Sequence, residues 1–412
     1  MPHDRVERAL AAELSRLSEA GTLKGRETAI AGLIPPAEGK GPRYLLEGEG
    51  ARPFLRMNSN SYLGLSLQGE VVAAEGAAVR AFGTGPGAVR FISGTWAPHR
   101  ELEARLAAFH GRAAAMIYSS AYAAVMGVMS PLITPETAVI SDALNHNSII
   151  NAIRLSRPKR KAIYRHLAMD ELDAQLEACA RDCARAVVVT DGIFSMRGDH
   201  APLDEIMALA RKHDPAFAEN VLVVVDDSHG VGAFGARGRG TEEFTGSAPA
   251  DLLIATLGKA FGVNGGYVAA SATVIDYLRE TSSFYIYSNP ITPGEAAAAT
   301  AAVAIVDGPR GRALLDHLRA MTARFETGLT ELGYETIPGA HPVVPLMVRD
   351  TQRTSALVAH LRANGILATG LNYPVVPRGD EEIRFQVSAD HTEADVDEAL
   401  AVLARFPGRE SG

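Results

Sequence analysis

The chain has few cysteines and no long apolar run, and both absences exclude classes of protein. Only two of its 412 residues are cysteine, Cys179 and Cys183. They lie four positions apart in a stretch with a helical pattern, which predicts reduced thiols rather than a disulfide framework or a metal site. No run of about 18 apolar residues occurs, so no membrane span is predicted. The segment 1–17 contains acids and no continuous apolar stretch, unlike a secretory signal, and the cytoplasm is the expected compartment.

The chain also lacks an excess of positive charge. Its 40 basic and 48 acidic residues give a formal net charge of −8, which argues against broad binding to nucleic acid or to acidic membranes. An apolar content of 47% and a charged content of 21% are ordinary for a folded protein. At this length the chain can form a large core and more than one lobe.

A nucleotide-binding glycine loop is missing as well. The segment Gly83–Arg90 reads GTGPGAVR, which superficially resembles such a loop. It lacks the Gly-Lys-Ser/Thr that holds phosphates, and the residues before it have a helical rather than a strand pattern. We therefore do not expect a Walker or Rossmann site there.

From residue 57 to residue 293 the chain alternates apolar β runs with helical stretches. Because the runs show little polar alternation, they predict strands covered on both faces, in an α/β domain with a mostly parallel, doubly wound sheet. Residues 1–56 are predicted to form a helical arm and an extended lead-in. Residues 294–412 are predicted to form a smaller α+β domain, where Arg384 alternates with apolar neighbours in Ile383–Val387. The apolar runs are Ala113–Tyr118, Thr137–Ser141, Arg185–Asp191, Val221–Asp227 and Leu252–Thr256.

Reactive side chains follow four of these runs. Parallel sheets bind ligands beyond the carboxyl ends of their strands, so these groups are expected to converge at one edge. They are carboxylates, imidazoles, hydroxyls and one amine: Asp142 with His146, Asp191 with Ser195, Asp226 to His229, and Thr256 with Lys259.

Lys259 is the residue of this set with two very different interpretations. It follows an apolar strand among glycines, without an adjacent acid. Buried in a dry pocket, its amine would lose pKa and could form a Schiff base and act as a base. At the start of a helix it would instead point to water.

The partners of Lys259 suggest pyridoxal 5'-phosphate (PLP). This cofactor needs a carboxylate against its ring nitrogen, which Asp226 could supply unless it merely caps a turn. His229 could be a cofactor partner, a core histidine or a metal ligand, but Asp-Asp-Ser-His has no known metal spacing, so no metal is expected. The backbone N–H groups of Ala121 and Tyr122, after a strand, could bind the phosphate.

Eight segments in order along the chain resemble the α-oxoamine synthases, over about residues 20 to 405. These are fold-type I PLP enzymes that join an amino acid to the acyl group of an acyl-CoA. The segments are Asn58–Leu65, Val89–Thr95, Ser141–Ile150, Thr190–Asp199, Val224–Gly240, Thr256–Tyr267, Tyr287–Pro293 and Asn372–Gly379.

The resemblance implies a role for each matching residue. Lys259 would hold PLP and act as the Cα base, Asp226 would face the ring nitrogen, and Arg384 would bind the amino-acid carboxylate with help from Asn60. The resemblance also implies a homodimer whose active sites are shared between the two subunits. The remaining roles are ring contacts for His146, His229 and Ser195, and phosphate contacts for Ala121, Tyr122, Thr256 and Ser288, the last from the neighbouring subunit.

The implied reaction is the condensation of glycine with acetyl-CoA, with or without loss of carbon dioxide. Alternatives are another acyl donor of the same family, including succinyl-CoA or a longer chain, then a PLP aminotransferase or aldolase-type lyase, and then a PLP-fold protein without catalysis. His110 and His166 have no partners at catalytic spacing and are expected to be structural or at the surface.

Overall fold

A computed structural model of the chain describes residues 3–19, 23, 27–373 and 375–407. Its helices, in chain order, are α1 (Asp4–Glu19), α2 (Gly69–Phe82), α3 (Ala97–His110), α4 (Ala121–Leu132), α5 (Asn147–Ser156), α6 (Met169–Cys179), α7 (Leu203–His213), α8 (Thr241–Thr245), α9 (Ala272–Thr281), α10 (Ser283–Ile286), α11 (Pro293–Asp307), α12 (Pro309–Glu331), α13 (Thr351–Ala363) and α14 (Glu393–Ala404). None of the helices in these ranges has the length and apolarity needed to span a bilayer.

The strands form three sheets. They are β1 (Ile30–Ile34), β2 (Arg43–Leu46), β3 (Pro53–Arg56), β4 (Ala114–Tyr118), β5 (Thr137–Asp142), β6 (Arg160–Tyr164), β7 (Arg185–Asp191), β8 (Val221–Asp226), β9 (Leu252–Thr256), β10 (Gly266–Ala270), β11 (Glu335–Thr336), β12 (Val343–Met347), β13 (Ile366–Leu367), β14 (Thr369–Leu371) and β15 (Glu382–Gln386).

The central sheet has seven strands in the order β4-β10-β9-β8-β7-β5-β6. All neighbouring pairs are parallel except the two made by β10. Successive side chains of β7 enter opposite cores, with Val187 and Val189 on one side and Ala186 and Val188 on the other. This explains the unbroken apolar runs, because both faces of each strand are covered. The prediction of a mostly parallel α/β sheet is confirmed.

The register of the sheet brings the carboxyl ends of its middle strands together. Asp191 at the end of β7 lies opposite Asp226 at the end of β8. Asp226 in turn lies opposite Ile254 of β9, two residues before Thr256 ends that strand. The convergence expected from the sequence is therefore present at this edge.

A second sheet, of order β11-β12-β15-β14, forms the core of the C-terminal part. Ile383 and Phe385 are fully buried in its core, while Arg384 between them is only partly buried. This is the alternation that the sequence predicted for this strand.

The third sheet joins the two ends of the chain. Its order is β1-β2-β3-β13, and β3 pairs in parallel with β13 through Leu55 and Ile366. The extended lead-in therefore consists partly of strands, and one of them depends on a segment more than 300 positions later. The predicted domain boundaries at residues 56 and 293 stay predictions.

A buried ion network connects the lead-in of α3 to α9. Arg90 donates from both terminal nitrogens to the two oxygens of Glu103, at 3.1 Å each, and Arg279 donates to Glu103 Oε2 at 2.9 Å. Glu103 also accepts from the backbone N–H of Ile117 in β4, at 3.1 Å. One carboxylate thus compensates two guanidinium groups and one strand N–H.

Replacing Glu103 by Ala should destabilise the protein strongly. Removing one partner of a buried ion pair leaves the other charge uncompensated, which costs about 3–5 kcal/mol. Urea unfolding followed by circular dichroism measures the loss. The control is Asp397→Ala, which breaks the exposed pair with Arg324 and should have a much smaller effect. Similar losses in the two variants would contradict the importance of the network.

Candidate active site

A cavity of about 270 Å³ lies at the edge of the central sheet where the strands end. Eight of the eleven residues predicted for the site line it. They are Ala121, Tyr122, His146, Ser195, Asp226, His229, Thr256 and Lys259. The convergence of so many predicted side chains on one cavity supports the site as a whole rather than any single motif.

Lys259 lies in the turn that follows β9, not at the start of a helix. Its side chain lines the cavity. Burial lowers the pKa of Lys259 to about 8, although the negative charges of Asp226 and Asp191 favour its ammonium form. The alternative of a solvent-directed helix-start lysine is therefore wrong, and about a tenth of the amine is neutral at pH 7, far more than for an ordinary lysine.

Asp226 and Asp191 form a pair of carboxyl groups on adjacent strands. Asp226 Oδ1 accepts hydrogen bonds from the backbone N–H of Ser228 at 3.2 Å and from its hydroxyl at 2.5 Å. Asp191 Oδ2 accepts from the backbone N–H of His146 at 2.9 Å. Burial and the charge of Asp226 raise the pKa of Asp191 well above its usual range. A cationic group in the cavity would relieve this concentration of negative charge.

His229 is buried and held from two sides. Its Nδ1 lies 2.7 Å from the hydroxyl of Tyr62, and its carbonyl oxygen lies 2.9 Å from Nε2 of His341. Burial and the positive charges of Lys259 and Arg384 depress the pKa of His229 far below its usual range. The imidazole is therefore neutral, and its environment is that of a hydrogen-bonding partner in the cavity.

The N-terminus of α4 supplies backbone donors to the cavity. The hydroxyl of Ser120 accepts from the N–H of Ala123 at 3.1 Å and so caps the helix. The N–H groups of Ala121 and Tyr122, in the first turn, have no acceptor within the helix. Gly266 of β10 packs directly against this turn, because a Cβ at Gly266 would lie 2.2 Å from the nitrogen of Ala121. These free donors and the helix dipole suit an anion.

Three predicted residues lie outside the lining of this cavity. Arg384 reaches it electrostatically, since its charge affects both Lys259 and His229, and its Nη2 donates to Asn60 Oδ1 at 3.2 Å. Ser288 donates to the carbonyl of Asn289 at 3.4 Å and does not line the cavity of its own chain. A contribution from Ser288 to a neighbouring subunit stays a prediction.

His166 connects two loops of the site, which the sequence did not suggest. Its ring nitrogens lie 3.0 Å from Asp142 Oδ1 and 3.3 Å from Asp199 Oδ2. Burial disfavours a charge on His166, but the two carboxylates outweigh this effect and raise its pKa to about 9. The loop after Asp142 carries His146, and the loop before Asp199 carries Ser195. His166 is thus structural, as expected, and its structural role is to connect the loops that carry His146 and Ser195.

Comparisons with known proteins agree with this geometry. The sequence pattern of aminotransferases of class I and II matches residues 52–403. The chain is 39% identical over 406 residues to 8-amino-7-oxononanoate synthase of Geobacter sulfurreducens, covering 98% of this chain and 99% of that protein. It is 37% identical over 404 residues to the mitochondrial 2-amino-3-ketobutyrate coenzyme A ligase of Homo sapiens, covering 97% and 92%.

Solved structures show the same relationship. Serine palmitoyltransferase of Sphingomonas wittichii superposes with a TM-score of 0.86 at 25% identity, covering 98% of this chain and 97% of that one. A structure of SPT that holds PLP superposes with a TM-score of 0.84, also at 25% identity, covering 98% and 96%.

The chain belongs to the class I and II aminotransferase family and, within it, to the α-oxoamine synthases, which are PLP-dependent acyltransferases. The fold class, the class of enzyme and the cofactor predicted from the sequence are therefore confirmed. The cavity itself fits PLP, because it combines an amine for the aldehyde, backbone donors for the phosphate and a buried carboxylate for the ring nitrogen.

Substituting Gly266 by Ala should weaken PLP binding. The new methyl group would push against the first turn of α4 and displace donors that suit the phosphate. Losing one hydrogen bond to a charged group costs about 1.5–3 kcal/mol, so affinity should fall roughly ten- to a hundredfold. Absorbance titration of the cofactor-free protein with PLP measures this. Gly69→Ala is the control, because no atom lies within 4 Å of a Cβ there. Equal affinity in both variants would refute the role of this contact.

The lowered pKa of Lys259 can be tested in the cofactor-free protein. Trinitrobenzenesulfonate modifies only neutral amines and does not itself titrate in this range, so its reaction rate at Lys259 should rise about tenfold per pH unit up to the pKa of the amine, about 8, and level off above it. Peptide mass spectrometry follows the rate, and Lys259→Arg identifies the peptide. Asp226→Asn removes a charge that favours the ammonium form, so the midpoint should move to lower pH. A midpoint that stays in place or rises would contradict this electrostatic coupling.

Proposed function

We propose that the enzyme joins a small amino acid, glycine above all, to the acyl group of an acyl-CoA. The products are free CoA and a 2-amino-3-oxo acid, or the aminoketone left after loss of carbon dioxide. The observation that carries this proposal is the convergence of Lys259 and Asp226 in one cavity, with Arg384 close enough to affect its charges.

We assign the cofactor contacts to residues that line the cavity. Lys259 would hold the aldehyde carbon, and Asp226 would keep the proton on the ring nitrogen. The N–H groups of Ala121 and Tyr122 bind the phosphate, together with Thr256. His146, His229 and Ser195 contact the ring, and Ser288 of a neighbouring subunit completes the phosphate site. When bound, PLP supplies an electron sink that makes the Cα–H of the amino acid acidic.

The side chains of the chain itself then move the proton and hold the substrate. Once the amino group of the substrate takes its place on the aldehyde carbon, Lys259 is free as a neutral amine and would accept the Cα proton, for which its pKa of about 8 is well placed. A bond forms between Cα and the thioester carbonyl carbon, and the C–S bond breaks. The departing thiolate takes up a proton, which the Lys259 ammonium can return. The proton, the acyl group and the sulfur are thereby all accounted for.

Arg384 suits the carboxylate of the amino acid. It extends from the polar face of β15, and Asn60 holds its guanidinium at 3.2 Å. A planar guanidinium pairs with a carboxylate through two parallel hydrogen bonds, which fixes orientation as well as charge. We propose that this pairing presents the Cα–H to Lys259.

The relatives do not agree on the length of the acyl group. Their names contain an oxononanoate in one case and a ketobutyrate in the other, so they do not share one chain length. Sequence motifs favour acetyl-CoA, whereas a second cavity, described below, favours a longer chain. A homodimer fits the position of Ser288 outside the cavity of its own chain. The cytoplasm as its compartment remains part of the proposal on the sequence alone.

A panel of amino acids against acyl-CoA thioesters tests the function, read by release of free thiol and by product mass. We expect thiol release that requires both substrates and is abolished by Lys259→Ala. An aminotransferase or an aldolase-type lyase would share Lys259 and Asp226 but release no CoA. Turnover with a keto-acid acceptor and no thiol release with any thioester would therefore reject the proposed reaction.

A further inference from the structure

A second cavity, of about 440 Å³, adjoins the first. His146 and Ser195 line both cavities, so the second begins where the reaction takes place. It extends to Met347 of β12 and Glu382 of β15, which belong to the C-terminal sheet. A group attached to the reacting carbonyl carbon can therefore enter it directly.

The cavity has an exposed entrance and a buried apolar interior. Leu144 and Val375 are 46% and 43% exposed, whereas Phe194, Val376 and Met347 are buried. Apolar walls that continue inward from the reacting atoms suit an alkyl chain. The nucleotide of CoA is large and charged and must remain outside, so the acyl chain is the part of the donor that fits the interior.

The wall contains two deeply buried polar side chains: Asn145, whose amide is hydrogen-bonded at both its nitrogen and its oxygen, and Glu382. Glu382 lies two residues before Arg384 on β15, so both side chains are on the same face of the strand. Glu382 is only 2% exposed, and its Oε1 has no hydrogen-bond partner. Burial raises the pKa of its carboxyl to about 8. A buried oxygen without a partner is costly unless a ligand satisfies it.

The surrounding charges indicate which group would satisfy Glu382. Arg197, also in the cavity wall, is engaged by Asp199 at 2.8 Å. Asp380 adds a further carboxylate to the same wall. Asp380 is itself paired with Arg349, 3.4 Å away, so a carboxylate on the ligand would meet Glu382 without an unpaired cation among the residues that line the cavity. A neutral O–H or N–H group can instead donate to Oε1 of Glu382 whether that carboxyl is neutral or ionised.

We propose that this cavity binds the acyl chain of the donor, that the chain is longer than acetyl, and that it carries a hydroxyl or another neutral hydrogen-bond donor facing Glu382. This inference rests on the proposed function. It assigns Glu382 as a specificity-determining residue and names hydroxyacyl thioesters as the substrate class.

The test compares acetyl-, butanoyl-, hexanoyl-, 4-hydroxybutanoyl-, 6-hydroxyhexanoyl- and 5-carboxypentanoyl-CoA, with glycine and alanine as amino acids. We expect at least one hydroxyacyl donor to exceed acetyl-CoA in kcat/KM and to exceed its unsubstituted counterpart, butanoyl- or hexanoyl-CoA. One hydrogen bond is worth about 0.5–1.5 kcal/mol, so the preference should be roughly two- to tenfold or larger.

Variants assign the preference to one side chain. Glu382→Leu removes the acceptor, so the ratio of hydroxyacyl to plain acyl kcat/KM should fall to about one or below. Glu382→Gln retains an acceptor oxygen and should keep most of the preference. The control is Glu326→Gln: Glu326 also has a buried oxygen without a partner, but it lies on α12 outside the cavity. Its ratio should equal that of the parent protein. Thermal unfolding confirms that each variant is folded.

The outcomes separate this inference from the proposed function. Thiol release that is fastest with acetyl-CoA would leave the function standing and overturn the inference. A preference for the carboxyacyl donor, or an unchanged ratio in Glu382→Leu, would overturn the assignment of Glu382. No thiol release with any donor would reject the proposed function, and the inference would fall with it.

Discussion

The parallel register of β7, β8 and β9 is the constraint on which the active site depends. It places Asp191 opposite Asp226 and brings Thr256 to the same edge. Each strand then contributes its reactive groups from the turn that follows it, and Lys259 enters the cavity in this way. Because the strands are buried on both faces, a shift of one residue would move every side chain into the opposite core and disrupt the packing of both, and packing therefore maintains the position of the catalytic groups.

The electrostatics of the site follow from this crowding. Two carboxyl groups and one amine share a small buried space, and each modifies the proton affinity of the others. Burial alone would make Lys259 more weakly basic than it is, because Asp226 and Asp191 favour its ammonium form. His229 experiences the opposite surroundings, with Lys259 and Arg384 both disfavouring its protonation. The site thus holds one amine poised to exchange a proton and one imidazole that remains neutral.

Much of this arrangement could be predicted from the sequence, and the reasons for success and failure are physical. Strand ends in a parallel sheet meet at one edge, so Lys259, Asp226 and His229 could be grouped before the fold was known. The role of His166 could not, because it depends on two carboxylates from distant loops meeting one ring. Glu382 was missed for a similar reason. Its place two residues before Arg384 was visible, but its missing hydrogen-bond partner is a property of the packed interior.

The pairing of β3 with β13 has a consequence for the order in which the chain matures during synthesis. The residues that line the cofactor cavity all lie between Ser120 and Lys259. Asn60 and Arg384, by contrast, are 324 positions apart in the chain, and the sheet that contains β3 stays incomplete until β13 has been made. Contacts this distant in sequence form late. A nascent chain can therefore complete its cofactor pocket once β10 has been made, well before Arg384 exists to bind the carboxylate of an amino acid.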